Sequence, residues 1–174
     1  MMLRPDAVVG TVTEVTPEFL RARGVHAVMV DLDDTLLPSG SNLLDPLFRT
    51  WLMSLQRAGI PVVILSNGER SRVDRWAEEL KVGGLALMGK PLSRAFRKGL
   101  DYLGTPPAET AMVGDQLFTD VLGANRAGMV SILVRPLSPG KLPHTRVLRR
   151  LEKRLLARFR LARLKGGLAW PFSR

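Results

Sequence analysis

A chain of 174 residues with 45% hydrophobic content can bury one full core, which excludes a peptide-like or disordered protein. It contains no cysteine, so disulfides and thiolate metal sites are excluded and a reducing compartment is expected; no apolar run approaches the ~18 residues of a membrane span. The net charge of +10 is uneven: residues 1–143 hold 16 Lys and Arg against 15 Asp and Glu, whereas residues 144–174 hold 10 against one acidic residue, Glu152. The basic character therefore belongs to one segment and not to the body.

In chain order, Thr16-Pro17 predicts a short helix stopped by Gly24. Five apolar runs then read as buried strands: HAVMVDL (26–32), PVVILSN (61–67), LALM (85–88), TAMVGD (110–115) and MVSILV (129–134). Between the first two, Asp45 reads as an N-cap, Pro46 as the first helical residue and Gly59 as the stop. Another helix should begin near Pro91, and Gly104 and Gly128 should end two others. Trp51 and Trp76 fall on helical faces and should pack. His26 and His144 read as structural residues and not as ligands. Strands alternating with helices imply βαβ units and a mainly parallel sheet. The proline-rich RPLSPGKLP (135–143) reads as a linker, giving a body of residues 1–143 and a C-terminal segment of 144–174.

Polar residues gather at the strand ends. The first strand runs into Asp31-Leu32-Asp33-Asp34-Thr35, the second into Ser66-Asn67-Gly68, and the fourth into Gly114-Asp115 with Asp120 beyond; Lys90 follows the third. In an open α/β sheet these ends share one rim, where ligands bind. Carboxylates, a lysine and a hydroxyl around one pocket suit phosphoryl transfer to a carboxylate. An Asp nucleophile and a phosphate are both anions, so positive charge must be supplied before they can approach. Oxygen-only donors point to a hard cation, Mg²⁺, held by Asp31 and Asp115. Lys90 would add charge against the phosphoryl oxygens, and Ser66 would donate a hydrogen bond. Asp33 could protonate the leaving oxygen and later deprotonate water. Taken singly, Asp115 also suits a helix start, Ser66-Asn67 a simple turn and Lys90 a solvated loop.

DLDDT resembles the DxDxT nucleophile motif of the haloacid dehalogenase superfamily, and LSN, the lysine of GKP and GDQLFTD stand in the places of its other motifs, in order. DLDDTLLP with VGDQLFTDVLGANRAG is similar to the YqeG-like group of subclass IIIA phosphatases over roughly residues 5–150. The resemblance implies Asp31 as nucleophile, Asp33 as acid/base, and Thr35, Ser66, Asn67 and Lys90 on the substrate side. It also implies Mg²⁺ at Asp31, Asp33 and Asp115, with Asp120 supporting that site from behind. Asp34 departs from the Asn or Gly often found at its place in relatives; whether its charge faces solvent or the metal stays open. The implied fold is a three-layer Rossmann-like α/β sandwich with five parallel strands in the order 5-4-1-2-3. Neither the 35–66 gap nor the 66–90 gap has room for a cap domain, so an open site and a bulky or surface-presented substrate are expected. Relatives that dephosphorylate phosphatidylglycerophosphate make that lipid headgroup the sharpest expectation, with a soluble phosphometabolite as the alternative.

In the C-terminal segment, Leu148, Leu151, Leu155, Phe159 and Ala162 recur at helical spacing, with Arg149, Arg150, Lys153, Arg154 and Arg160 on other faces. An amphipathic basic helix is expected. It could pack on the body or on a second subunit, adsorb to an anionic membrane with Trp170 and Phe172 as anchors, or grip RNA, DNA or ribosomes in a binding protein whose body is inert scaffold. RNA binding shares the charge pattern without needing the apolar stripe. The expected location is cytoplasmic, or peripheral to the inner membrane face.

Overall fold

The computed structural model describes residues 2–138 and residue 152. The expected amphipathic helix, Glu152 apart, and the end of the linker lie outside the described residues. No helix among them is long and apolar enough to cross a membrane.

The described chain forms β1 (Ala7–Val9), α1 (Pro17–Arg21), β2 (Ala27–Val30), α2 (Pro46–Arg57), β3 (Val62–Leu65) and α3 (Arg70–Leu80). It continues through β4 (Gly83–Leu85), α4 (Ser93–Leu103), β5 (Thr110–Gly114), α5 (Leu122–Ala127) and β6 (Val130–Val134). All pairings are parallel, in the order β1-β6-β5-β2-β3-β4. The sheet thus has six strands where five were expected. The order 5-4-1-2-3 is corrected by β1, which adds at the edge beside β6. The three residues of β1 are too few for a periodic signal; Asp6, just before them, fixes them in place. Its Oδ2 accepts from Ser131 N at 2.8 Å and Ser131 Oγ at 3.0 Å, and its own N–H donates to Ser131 O at 2.9 Å.

β2 (AVMV) and β3 (VVIL) are buried along their whole length, as central parallel strands covered on both faces must be. Their side chains alternate between two cores. Val28, Val30, Val62 and Ile64 meet Leu20 of α1, Phe48, Trp51 and Leu52 of α2, and Val73 and Trp76 of α3. Met29, Val63 and Leu65 meet Ala95 and Phe96 of α4 and Ala124 of α5. Helices therefore cover both faces, giving the expected three layers.

Helix ends follow the capping residues. Asp45 Oδ1 accepts from Leu47 N at 2.8 Å with Pro46 opening α2, Thr16 caps α1 through Phe19 N at 3.2 Å, and Gly104 and Gly128 end α4 and α5 in the left-handed region. The third strand is displaced from the expected 85–88 to Gly83–Leu85. A Cβ on Gly83 would stand 2.3 Å from the Tyr102 ring, and one on Gly84 would stand 2.8 Å from Ala77 Cβ. The strand runs where only glycine lets helices approach, and a pattern of apolar side chains misses it.

Candidate functional site

The site lies beyond the carboxyl ends of β2, β3 and β5. β2 carries Asp31 onto the rim, where its N–H donates to Val113 O of β5 at 2.9 Å. The chain then folds tightly back on itself: Leu36 N and Leu37 N both reach Leu32 O at 3.0 Å, and Asp34 N reaches Leu37 O at 2.6 Å. This turn needs a left-handed residue at Asp34 (φ 62°), a conformation that Asn, Asp and Gly tolerate best. Asp34 does not face solvent. It is buried, and its Oδ1 accepts from Ser39 N at 2.9 Å and from Ser138 Oγ at 2.5 Å, tying the turn to the segment after β6.

Lys90 stands at the centre. Its Nζ is 2.6 Å from Asp31 Oδ1 and 2.7 Å from Asp120 Oδ1, and all three side chains are nearly sealed from water. Burial disfavours the ammonium, but Asp120 and Asp31 outweigh that penalty and hold Lys90 above its ordinary value. Burial pushes the Asp31 carboxyl from 3.8 up to about 7, against the pull of Lys90 and with added repulsion from Asp120 and Asp33. Asp31, Asp115 and Asp120 each offer one carboxylate oxygen, all within 4.8 Å of one another. Three buried hard-oxygen donors within one ion's reach fit a divalent cation such as Mg²⁺.

The surrounding residues hold this centre. Thr35 Oγ1 makes a long contact, 3.4 Å, to Asp115 Oδ1. Gly114 lets Asp120 in: a Cβ there would lie 2.3 Å from Asp120 Cγ. The wide helical turn Leu117–Val121 then folds Asp120 back, so that its Oδ2 accepts from Gln116 N at 3.1 Å while Oδ1 meets Lys90. Such π turns recur at functional sites. Asn67, expected on the substrate side, spends its amide on the Lys90 backbone. Lys90 N donates to Oδ1 at 2.7 Å, and Nδ2 donates to Lys90 O at 3.1 Å. Ser66 Oγ accepts from Gly68 N at 3.0 Å.

Asp33 stands apart from the three clustered carboxylates. Arg72 of α3 engages its Oδ1, with Nε at 3.1 Å and Nη2 at 3.0 Å. Sequence reasoning missed Arg72, one of three arginines in ERSRVDR with nothing to mark it out. It also missed the placement of Glu152. This buried residue accepts from Leu117 N at 2.8 Å and Phe118 N at 3.4 Å, at the start of the turn that carries Asp120.

Residues 9–128 match the family described as haloacid dehalogenase-like hydrolase. The chain belongs to that family. It is 33% identical over 166 residues to the probable phosphatase YqeG of Bacillus subtilis, covering 95% of each chain. It is 31% identical over 155 residues to phosphatidylglycerophosphate phosphatase 1, chloroplastic/mitochondrial, of Arabidopsis thaliana, covering 82% of this chain and 44% of that protein. The fold is also that of the cobalt-bound deoxy-D-mannose-octulosonate 8-phosphate phosphatase of Haemophilus influenzae. That likeness has a TM-score of 0.54 at 16% identity and covers 79% of this chain and 90% of the other. This chain is thus a phosphatase-type member of the haloacid dehalogenase-like hydrolases.

Proposed function

We propose that the protein is a Mg²⁺-dependent phosphomonoesterase working through an aspartyl-phosphate on Asp31. The observation that carries this reading is Lys90 Nζ, 2.6 Å from Asp31 Oδ1, beside three carboxylate oxygens within 4.8 Å of one another. A bound Mg²⁺ at Asp31 and Asp115 would supply the charge that lets a carboxylate and a phosphate meet. Lys90 keeps Asp31 oriented, and Ser66 and the Gly68 backbone line the approach of the phosphoryl group. A carboxylate oxygen of Asp31 attacks phosphorus, the bond to the leaving oxygen breaks, and Asp33 gives that oxygen its proton. Asp33 then takes a proton from water, the resulting hydroxide attacks phosphorus, and the bond to Asp31 breaks to release phosphate.

The substrate we favour is a phosphomonoester on a lipid headgroup, of the phosphatidylglycerophosphate kind. Two things support this: the similarity to the plant enzyme of that name, and the chain between Thr35, Ser66 and Lys90. That chain holds α2, β3, α3 and β4 and no further element that could act as a cap. The setting that fits is the cytoplasmic face of a membrane, with the basic C-terminal segment as the contact.

The first test is hydrolysis of an aryl phosphate with Mg²⁺. Asp31→Asn should abolish turnover and EDTA should suppress it; full activity in either case sinks the mechanism. The second compares phosphatidylglycerophosphate in mixed micelles with soluble phosphate esters. A higher kcat/KM for a soluble ester would discard the lipid substrate and keep the chemistry.

A further inference from the structure

We propose that Arg72 is a positioning residue for proton delivery to the leaving group, through its grip on Asp33. The inference rests on Asp33 being the general acid and adds Arg72 to it. Arg72 commits three nitrogens at once. Nε and Nη2 stand 3.1 and 3.0 Å from Asp33 Oδ1, Nη2 donates to Ser41 O at 2.8 Å, and Nη1 donates to Asn42 Oδ1 at 3.0 Å. The planar fork of a guanidinium can satisfy all of these together, and an ammonium cannot.

The consequence lies in which Asp33 oxygen is left over. Oδ1 is taken up by the guanidinium, so Oδ2 is the oxygen positioned for the proton transfer. A Cβ built on Gly68 would lie 3.2 Å from both Asp33 Oδ2 and Ser66 Oγ. The acid oxygen and the candidate phosphate-binding hydroxyl therefore face the same glycine backbone. Without Arg72, the Asp33 side chain would be free to turn Oδ2 away, and proton transfer falls steeply with misplacement. The proton moves from Asp33 Oδ2 to the leaving oxygen as the P–O bond breaks, and water returns it in the second half of the reaction. Through Ser41 and Asn42 the same fork pins the rim loop after the DLDDT turn to the acid, so loop and acid are held as a unit.

The test is leaving-group dependence of kcat/KM, which reports steps up to formation of the aspartyl-phosphate, with Mg²⁺ saturating. p-Nitrophenolate departs without a proton, whereas the alkoxide of glycerol phosphate needs one. Arg72→Ala should lower kcat/KM on glycerol phosphate by about 10- to 100-fold, part of the ~10²–10⁴ that general acid catalysis supplies. It should leave p-nitrophenyl phosphate within about threefold. Arg72→Lys should behave like Arg72→Ala, and it gives the same ratio should the alanine variant fold poorly. In an Asp33→Asn background, Arg72→Ala should cost nothing more on glycerol phosphate. Equal losses on both substrates, or full rescue by lysine, would overturn the proposal in favour of direct substrate binding or simple charge. Asp33→Asn separates the two readings. If it discriminates between leaving groups and Arg72→Ala does not, the positioning role fails and the acid stands; if Asp33→Asn itself does not discriminate, the acid assignment fails.

Discussion

Asp31 combines two demands that oppose each other. As the nucleophile we propose, it must be ionised, yet burial pushes its carboxyl up to about 7. Metal-free protein should show this as a pH effect on stability. Below 3.8, Asp31 is protonated whether folded or unfolded, so it contributes equally to both states. Between 3.8 and about 7 the unfolded chain ionises while the folded one keeps its proton, so stability falls as pH rises through that window. In EDTA, the denaturation midpoint of wild type relative to Asp31→Asn should therefore decline from pH 4 to pH 7; a constant difference would refute the shift. At pH 7, Mg²⁺ should restore wild type and leave the variant unmoved, because a ligand stabilises only the form that binds it. At this scale the places of Asp31, Ser66 and Asp115 were legible because each is a polar residue directly after a buried strand, β2, β3 and β5. Arg72 was not, because its importance lies in what it meets across 39 positions of chain.

At the scale of elements, the glycines and the wide turn after β5 decide whether Asp120 reaches Lys90. Gly114→Ala places a methyl about where Asp120 Cγ now sits, 2.3 Å away, with the buried strand unable to yield. The carboxylate must leave Lys90. The expected outcome is at least about a tenfold loss of kcat, by analogy with misplaced catalytic groups, with the thermal midpoint lowered by the overpacked strand. Retention of full activity would mean that Asp120 has another route to Lys90. α2 was readable in the sequence because Asp45, Pro46 and Gly59 mark its ends, whereas α3 and α4 start without a side-chain cap to mark them. The edge strand β1 and the Gly83–Leu85 strand were not. One is held by Asp6 from outside, and the other is defined by missing side chains. The Leu117–Val121 turn reads in sequence as ordinary helix, since its extra width serves Asp120 and leaves no periodic trace.

For the whole molecule, Glu152 changes what a truncation experiment can mean. It is the one acidic residue of the basic segment, yet it is buried on the body, receiving two amides at the start of the turn that holds Asp120. An anion meeting free N–H groups at such a terminus is stabilising. A chain ending at Leu142 would therefore lose both its basic residues and this support, and a fall in activity could come from either. Two variants separate them. Replacing Arg149, Arg150, Lys153 and Arg154 by Gln, with Glu152 kept, should leave aryl phosphate hydrolysis unchanged. It should also weaken co-sedimentation with anionic vesicles, since each basic residue near such a surface contributes ~1 kcal/mol. Glu152→Ala, with the basic residues kept, should do the reverse, keeping vesicle binding while lowering the thermal midpoint and kcat as the turn beneath Asp120 loosens. Vesicle binding unaffected by the four Gln substitutions, or RNA outcompeting anionic vesicles at the same salt, would remove the membrane role and leave the phosphatase chemistry standing. If Glu152→Ala left stability and kcat untouched, the segment would have no part in supporting the site.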